Sequence, residues 1–303
     1  MSKAEIWTGK ELSQAIEQEV TEGVKAFDRE SPPRLVVLLV GDDPASAVYV
    51  GQKSKAAARV GINAETRTYP ATLPDEALRR EIRELNEDPT VDAILLQLPL
   101  PKHLDSDEIL PLIDPAKDVD GFHPANLGQL VGGEPRVLPC TPYGIVELLR
   151  RKGAIKRGAE VVVVGRSRIV GLPVALLLAR KGESGDCTVT ICHSRTRDLA
   201  GACRRADILI AAVGSPALVK GDWIRPGAVV IDVGVNRVDD PTREKGYRLV
   251  GDVDFEAACE VASAITPVPG GVGPLTVAML LKNTLELAVR RSAKSGRPGL
   301  ARA

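Results

Sequence analysis

Aromatic residues are scarce in this chain of 303 residues, at 3%, which argues against the stacking platforms that hold single-stranded nucleic acid. No sign of charge prevails either. The 40 basic and 40 acidic side chains cancel, so no global field draws the protein to nucleic acid or to an anionic membrane. Cys140, Cys187, Cys192, Cys203 and Cys259 form an odd, scattered set without a C-x-x-C pair. That pattern favours a reducing cytoplasm and weighs against a zinc site. His103, His123 and His193 stand too far apart in sequence to suggest ligands, and no metal is expected. No apolar run reaches the length of a membrane span, and the opening MSKAEIWTGKELSQAIEQEV reads as an immediate charged amphipathic helix, not a signal peptide. No internal repeat of fixed period occurs.

What is abundant is apolar and ordered in pattern. Hydrophobic residues make up 44%, enough for about two domains with ordinary cores. Apolar β-branched runs alternate with helical patterns, the signature of an α/β fold with a parallel sheet covered by helices. In the first half, RLVVLLVG, GINAETRTYP and VDAILLQLPLP read as strands, and ASAVYVGQKSKAAARVGI and LPDEALRREIRELNED as helices. From Leu110 to Thr141 the chain turns rich in proline, glycine and aspartate, a candidate crossing between domains. PYGIVELLRRKG then reads as a helix with a glycine stop. AEVVVVGRSRIVGLPVALLLARKG reads as strand, glycine loop and helix, and CTVTICHS, ADILIAAVG and GAVVIDVG as three more strands, each buried on both faces. The tail RPGLARA is expected to be disordered.

Two features carry chemistry. In the loop GRSRIVG, Gly165 permits a tight turn, and the amides at the start of the following helix favour a pyrophosphate. Ser167 stands where the middle glycine of G-x-G-x-x-G would be, so the expectation of a dinucleotide fold rests on the strands around the loop. The second feature is Tyr49, one helical turn before Lys53, which places both side chains on one face. A short-chain dehydrogenase pairs tyrosine and lysine at this spacing; an amphipathic helix with one ring edge and one solvated charge does so too. Here the pair precedes the glycine loop by a whole domain, so it is expected to face a cofactor across an interdomain cleft.

YVGQKSKAAARVGI, QLPLP, KDVDGFHPANLGQL, PCTPYGIVELL, VVVVGRSRIVGLPVALLL, ADILIAAVG, GAVVIDVGVNR, GDVDF and TPVPGGVGPLTVAMLLKNT occur in an order that resembles the bifunctional methylenetetrahydrofolate dehydrogenase/methenyltetrahydrofolate cyclohydrolase family over nearly the whole chain. Three departures stand out: Leu275 where methionine is common in the family, an extra ESGD before CTVTICHS, and a basic tail. Leu275 lies near the substrate loop, where it could alter packing.

The resemblance implies a folate-binding domain over 1–139, completed by a last helix over 275–295, and a Rossmann-like NADP-binding domain over 140–274. It implies oxidation of methylenetetrahydrofolate and hydrolysis of the methenyl product in one-carbon metabolism and purine biosynthesis, in a cytoplasmic homodimer. Tyr49, Lys53, Gln97 and Asp120 are then the catalytic and substrate residues. Pro269, Gly270 and Gly271 form a loop close to substrate. Gly165, Arg166, Ser167, Ser194 and Ile231 would hold NADP, with Arg195 a further candidate. A lysine serves as base only if its pKa falls several units from about 10.4, through burial or a neighbouring positive charge, and a methenyl cation would be such a charge. A carboxylate such as Asp120 can accept from both the ring N–H and the amino group of a pterin. Asp118 reads as structural. A shikimate-type two-domain dehydrogenase, and a dinucleotide-binding module without catalysis, remain the alternatives.

Overall fold

The computed structural model describes residues 3–27, 29–243 and 246–294. In chain order its elements are β1 (Glu5–Ile6), α1 (Lys10–Lys25), β2 (Arg34–Val40), α2 (Pro44–Val60), β3 (Asn63–Tyr69), α3 (Asp75–Glu87), β4 (Ala93–Leu96), α4 (Ser106–Ile109) and α5 (Pro124–Gly132). They continue as α6 (Cys140–Arg151), β5 (Glu160–Val164), α7 (Gly171–Ala179), β6 (Thr188–Cys192), α8 (Leu199–Cys203), β7 (Ile208–Ala211), β8 (Val229–Asp232), β9 (Asn236–Asp239), β10 (Tyr247–Val250), α9 (Phe255–Cys259), β11 (Ala264–Ile265) and α10 (Val272–Lys294). The chain divides into two compact units: Gln14–Cys140 with Val277–Ala303, and Met1–Ser13 with Thr141–Thr276.

The first unit is built on a parallel sheet of order β3-β2-β4. Central β2 is buried along nearly all its length, as its unbroken run RLVVLLV requires. Val36, Leu38 and Val40 on one face pack against Leu78, Ile82 and Leu85, whose helical spacing gives α3 a single apolar stripe. The segment read as a crossing belongs to this unit and contains α5, which starts at His123: the ring Nδ1 accepts from the N–H of Ala125 at 3.0 Å. Helix α10 is long and apolar enough to cross a membrane by length and composition, contrary to the expectation that no run is. Most of that stretch is buried within the protein, and its part from Val277 onward clusters with this unit.

Lys117 is 1% exposed in the same unit. Its Nζ donates to the carbonyls of Leu85 and Asp88, both at 2.7 Å, closing the carboxyl end of α3. Burial, with the Arg291 charge adding to it, lowers its pKa to about 8. Between pH 8 and 10.5 the unfolded chain therefore holds a proton that the native state has lost, so stability rises with pH in this window. Lys117→Met will remove that rise, worth on the order of 3 kcal/mol. Urea unfolding of both proteins at pH 8 and pH 10 measures it; an unchanged difference between them at the two pH values would refute the assignment.

The second unit carries a parallel sheet of order β1-β11-β8-β7-β5-β6 and a separate antiparallel hairpin, β9 with β10. The amino terminus contributes to it, because Glu5 and Ile6 pair with Ala264 and Ile265. A strand thus precedes the first helix, and the division differs from a boundary drawn at 139 with everything before it in one domain. Strands β7 and β8 are buried as expected. β6 is not: it is the edge strand, with Thr188 and Ile191 exposed. ESGD forms the turn between α7 and β6, where the N–H of Asp186 donates to Arg180 O at 2.8 Å and that of Gly158 donates to Asp186 O at 2.7 Å. The tail RPGLARA lies outside the described residues.

Candidate active site

Asp43 starts α2 by accepting from the N–H of Ser46 at 2.8 Å and its hydroxyl at 2.7 Å, and Pro44 fits the first turn. Gly61, at φ 83°, ends it in the left-handed conformation that glycine favours. Tyr49 and Lys53 therefore sit one turn apart on a well-bounded helix. Tyr49 is 38% exposed, while Lys53 is only 9% exposed. Gln97 follows β4 directly, and its N–H extends the ladder to Leu38 O at 2.9 Å. Its side-chain amide is fixed at both ends: Nε2 donates to Leu98 O at 2.6 Å, and Oε1 accepts from Lys53 Nζ at 2.9 Å. The lysine is thus oriented by a neutral acceptor.

Residues 117–119 run beside β4, with the N–H of Ile94 donating to Lys117 O at 2.7 Å, which carries Asp120 to the carboxyl end of that strand. Burial pushes the Asp120 carboxyl above the ordinary range; the nearby Lys53 charge opposes this, Asp118 adds to it, and a hydrogen bond with Cys140 lowers it. Asp118 itself accepts from the N–H of His123 and from Asn126 Nδ2, each at 2.8 Å, in keeping with a structural role. One contributor escaped the sequence reading. Asn283, fully buried in α10, donates through Nδ2 to Val119 O at 2.9 Å and Leu138 O at 2.8 Å, fixing the peptide just before Asp120. Its signal was a polar Asn283-Thr284 pair inside an apolar helix.

Pro269, Gly270 and Gly271 belong to the other unit. Gly270 has φ 102°, and its carbonyl accepts from the N–H of Gly9 at 2.9 Å. A Cβ on Gly9 would lie 2.0 Å from Gly271 O, so the loop and the chain's start are closely apposed. Leu275 is fully buried and packs on Gly9 and Gly144, where a Cβ would come within 3.2 and 2.8 Å of it.

The nucleotide candidates gather at the carboxyl ends of adjacent strands. Gly165 follows β5 with φ 130°, and a Cβ there would lie 2.1 Å from Ala212 O. A Cβ on Gly171 would lie 2.3 Å from Gly165 O, so two glycines let strand, loop and helix close on one another. Ser167 Oγ accepts from the N–H groups of Val170 at 3.1 Å and Gly171 at 3.3 Å, standing in for backbone at the fingerprint's middle position. Arg166 and Ser194 are both exposed, each just beyond paired strands β5 and β6. The Ile231 side chain is fully buried in β8. The exposed apolar residue past the end of that strand is Val235, at 49%.

These features define a two-unit α/β protein with a lysine-centred polar site in one unit and a glycine-loop nucleotide site in the other. Residues 7–120 match the catalytic domain, and residues 139–292 the NAD(P)-binding domain, of tetrahydrofolate dehydrogenase/cyclohydrolase. The bifunctional protein FolD of Salinibacter ruber is 52% identical over 292 residues, covering 96% of this chain and 98% of the relative. The Trypanosoma brucei N5,N10-methylenetetrahydrofolate dehydrogenase-cyclohydrolase, solved with NADP and an inhibitor, superposes with a TM-score of 0.90 at 45% identity, over 98% of this chain and all of that one. The bifunctional enzyme FolD of Campylobacter jejuni gives a TM-score of 0.87 at 43% identity, over 94% and 98% of the two chains. The chain belongs to the tetrahydrofolate dehydrogenase/cyclohydrolase family.

Proposed function

We propose that this chain oxidises 5,10-methylenetetrahydrofolate to the 5,10-methenyl cation with NADP, and then hydrolyses that cation to 10-formyltetrahydrofolate. The observation that carries the reading is Lys53, buried on α2 with its Nζ held by Gln97 Oε1 at 2.9 Å, in a chain both of whose units match this family. NADP, when bound, supplies the hydride acceptor. Gly165 lets the loop close against the Ala212 backbone, where a Cβ would clash, and Arg166, Ser167 and Ser194 provide donors suited to phosphate just beyond β5 and β6.

In the hydrolytic step Lys53 takes the proton that water gives up as it adds to the methenyl carbon, and returns a proton as the C–N bond opens. Gln97 aims the lysine nitrogen. Tyr49, exposed beside it, offers a ring face to a flat ligand and a hydroxyl to its polar edge. Asp120 holds the pterin by accepting from its ring N–H and amino group. The family likeness alone supports a homodimer working in the cytoplasm.

The test is spectroscopic: protein mixed with methylenetetrahydrofolate and NADP forms the methenyl chromophore, which then decays faster than without enzyme. Neither signal would appear if the reading were wrong. Asp120→Ala will raise KM for the folate on the order of a hundredfold, as expected for losing charge-assisted hydrogen bonds, with KM for NADP nearly unchanged. Equal loss of both would point to a damaged fold.

A further inference from the structure

The motifs GAVVIDVGVNR and GDVDF supply two buried carboxylates that the reaction does not use. Asp252 is fully buried and accepts four hydrogen bonds. Its Oδ2 takes the N–H of Val213 at 2.6 Å and of Gly214 at 3.0 Å; its Oδ1 takes the N–H of Ser215 at 2.8 Å and Asn236 Nδ2 at 2.9 Å. Asp232, 2% exposed, accepts from the N–H groups of Asp252 at 2.9 Å, Gly234 at 3.1 Å and Val253 at 3.0 Å. Each carboxylate presses on a glycine within two residues of the other. A Cβ on Gly251 would lie 1.7 Å from Asp232 Oδ2, and one on Gly234 would lie 2.2 Å from Asp252 Oδ1.

All seven of these hydrogen bonds come from neutral N–H groups. Burying carboxylates on N–H groups alone is a weak route to stability, because apolar side chains of similar volume serve as well or better. The arrangement does something else. It turns three successive amides of the loop after β7 inward, and through Asn236 ties that loop to the end of the turn after β8.

Where these loops stand gives the purpose. The sheet order reverses direction between β5 and β7, and dinucleotides lie across the carboxyl ends of strands at such a switch point. Arg166 and Ser194 place the adenosine phosphate at the β5 and β6 side, so the nicotinamide half extends over the ends of β7 and β8. Val213 and Val235, 36% and 49% exposed, stand there on the two tied loops. We infer that Asp252, backed by Asp232, is a positioning residue that holds the loops Val213–Ser215 and Gly234–Asn236 in the shape that receives the nicotinamide half of the cofactor. The inference rests on the functional reading above.

Asp252→Asn keeps the shape but turns an N–H₂ toward backbone donors. In the full chain it will raise the NADP Kd and KM at least about tenfold. Hydrolysis of added methenyltetrahydrofolate, which needs no nucleotide, will stay within about twofold of wild type. Should this variant fail to fold, Asn236→Ala removes one donor to Asp252 and will raise the NADP KM severalfold with hydrolysis again spared. A wild-type NADP KM in the folded variant, or a matched fall in nucleotide binding and hydrolysis, would overturn the positioning role. A wild-type protein that neither binds NADP nor forms the methenyl chromophore would instead overturn the function, before any variant is compared.

Discussion

Lys53→Met will lower the hydrolysis of methenyltetrahydrofolate by about 10²- to 10⁴-fold, the range that removing a general acid–base catalyst gives, and will leave NADP binding nearly intact. Methionine keeps the length and apolar stem that α2 buries, and removes only the nitrogen. Gln97 Oε1 loses its partner, a penalty of roughly 1–3 kcal/mol in stability that does not touch Gly165, Arg166 or Ser194, which belong to the other unit. The oxidation step is an internal control. A hydride leaves the methylene carbon with its electrons and the product is a cation, so no proton has to be removed and Lys53 is not required as a base. The methenyl chromophore should therefore accumulate in the variant and decay quickly in wild type. Hydrolysis at the wild-type rate would eliminate Lys53 as the base; loss of NADP binding together with hydrolysis would trace the defect to folding.

Much of this was legible in the sequence because it depends on local pattern. RLVVLLVG reads as a strand from its unbroken apolar run, and the Tyr49 to Lys53 spacing fixes a shared face without reference to the rest of the chain. What escaped depends on pairing across long separations. β1 and β11 are two residues each, too short for any periodicity, and exist because Glu5 meets Ala264. CTVTICHS looks like an interior strand, yet strand order, which no single segment encodes, puts it at the edge. Ile231 and Val235 stand four residues apart in VVIDVGV, and only the point where β8 ends tells that the first is core and the second exposed. Lys117 sits among aspartates in DPAKDVDGF, yet its hydrogen-bond partners are the carbonyls of Leu85 and Asp88, contributed by the end of α3 and the residue after it. The Asp232 and Asp252 arrangement needs each carboxylate to meet a glycine within two residues of the other, a relation between two loops.

Arg166→Ala will cut the preference for NADP over NAD, read as the ratio of kcat/KM values, by about 10- to 100-fold, and wild type will prefer NADP. In NAD-binding units an acidic residue at the end of the second strand, about 20 residues past the glycines, accepts from the ribose hydroxyls. Here that strand is β6, and it is followed by His193, Ser194 and Arg195, with no carboxylate. The turn is well formed: the N–H of Arg195 donates to His193 Nδ1 at 3.1 Å, and the N–H of His193 to Thr196 Oγ1 at 2.9 Å. The next acid along the chain, Asp198, is committed to starting α8, where it accepts from the N–H of Gly201 at 2.7 Å. A ribose 2′-phosphate would meet no repulsion from these residues, whereas the 2′-hydroxyl of NAD would find no carboxylate to bind. Arg166 follows Gly165, whose own N–H donates to Cys192 O at 2.9 Å, so the arginine leaves the sheet beside the end of β6. It is exposed, and its fork of donors matches phosphate oxygens in a way that lysine cannot copy. Arg195 is a weaker second contact, and Arg195→Ala should change the ratio less. Kinetics with both cofactors decide the matter: a wild type that prefers NAD, or an Arg166→Ala protein that keeps the full NADP preference, would remove Arg166 from the phosphate.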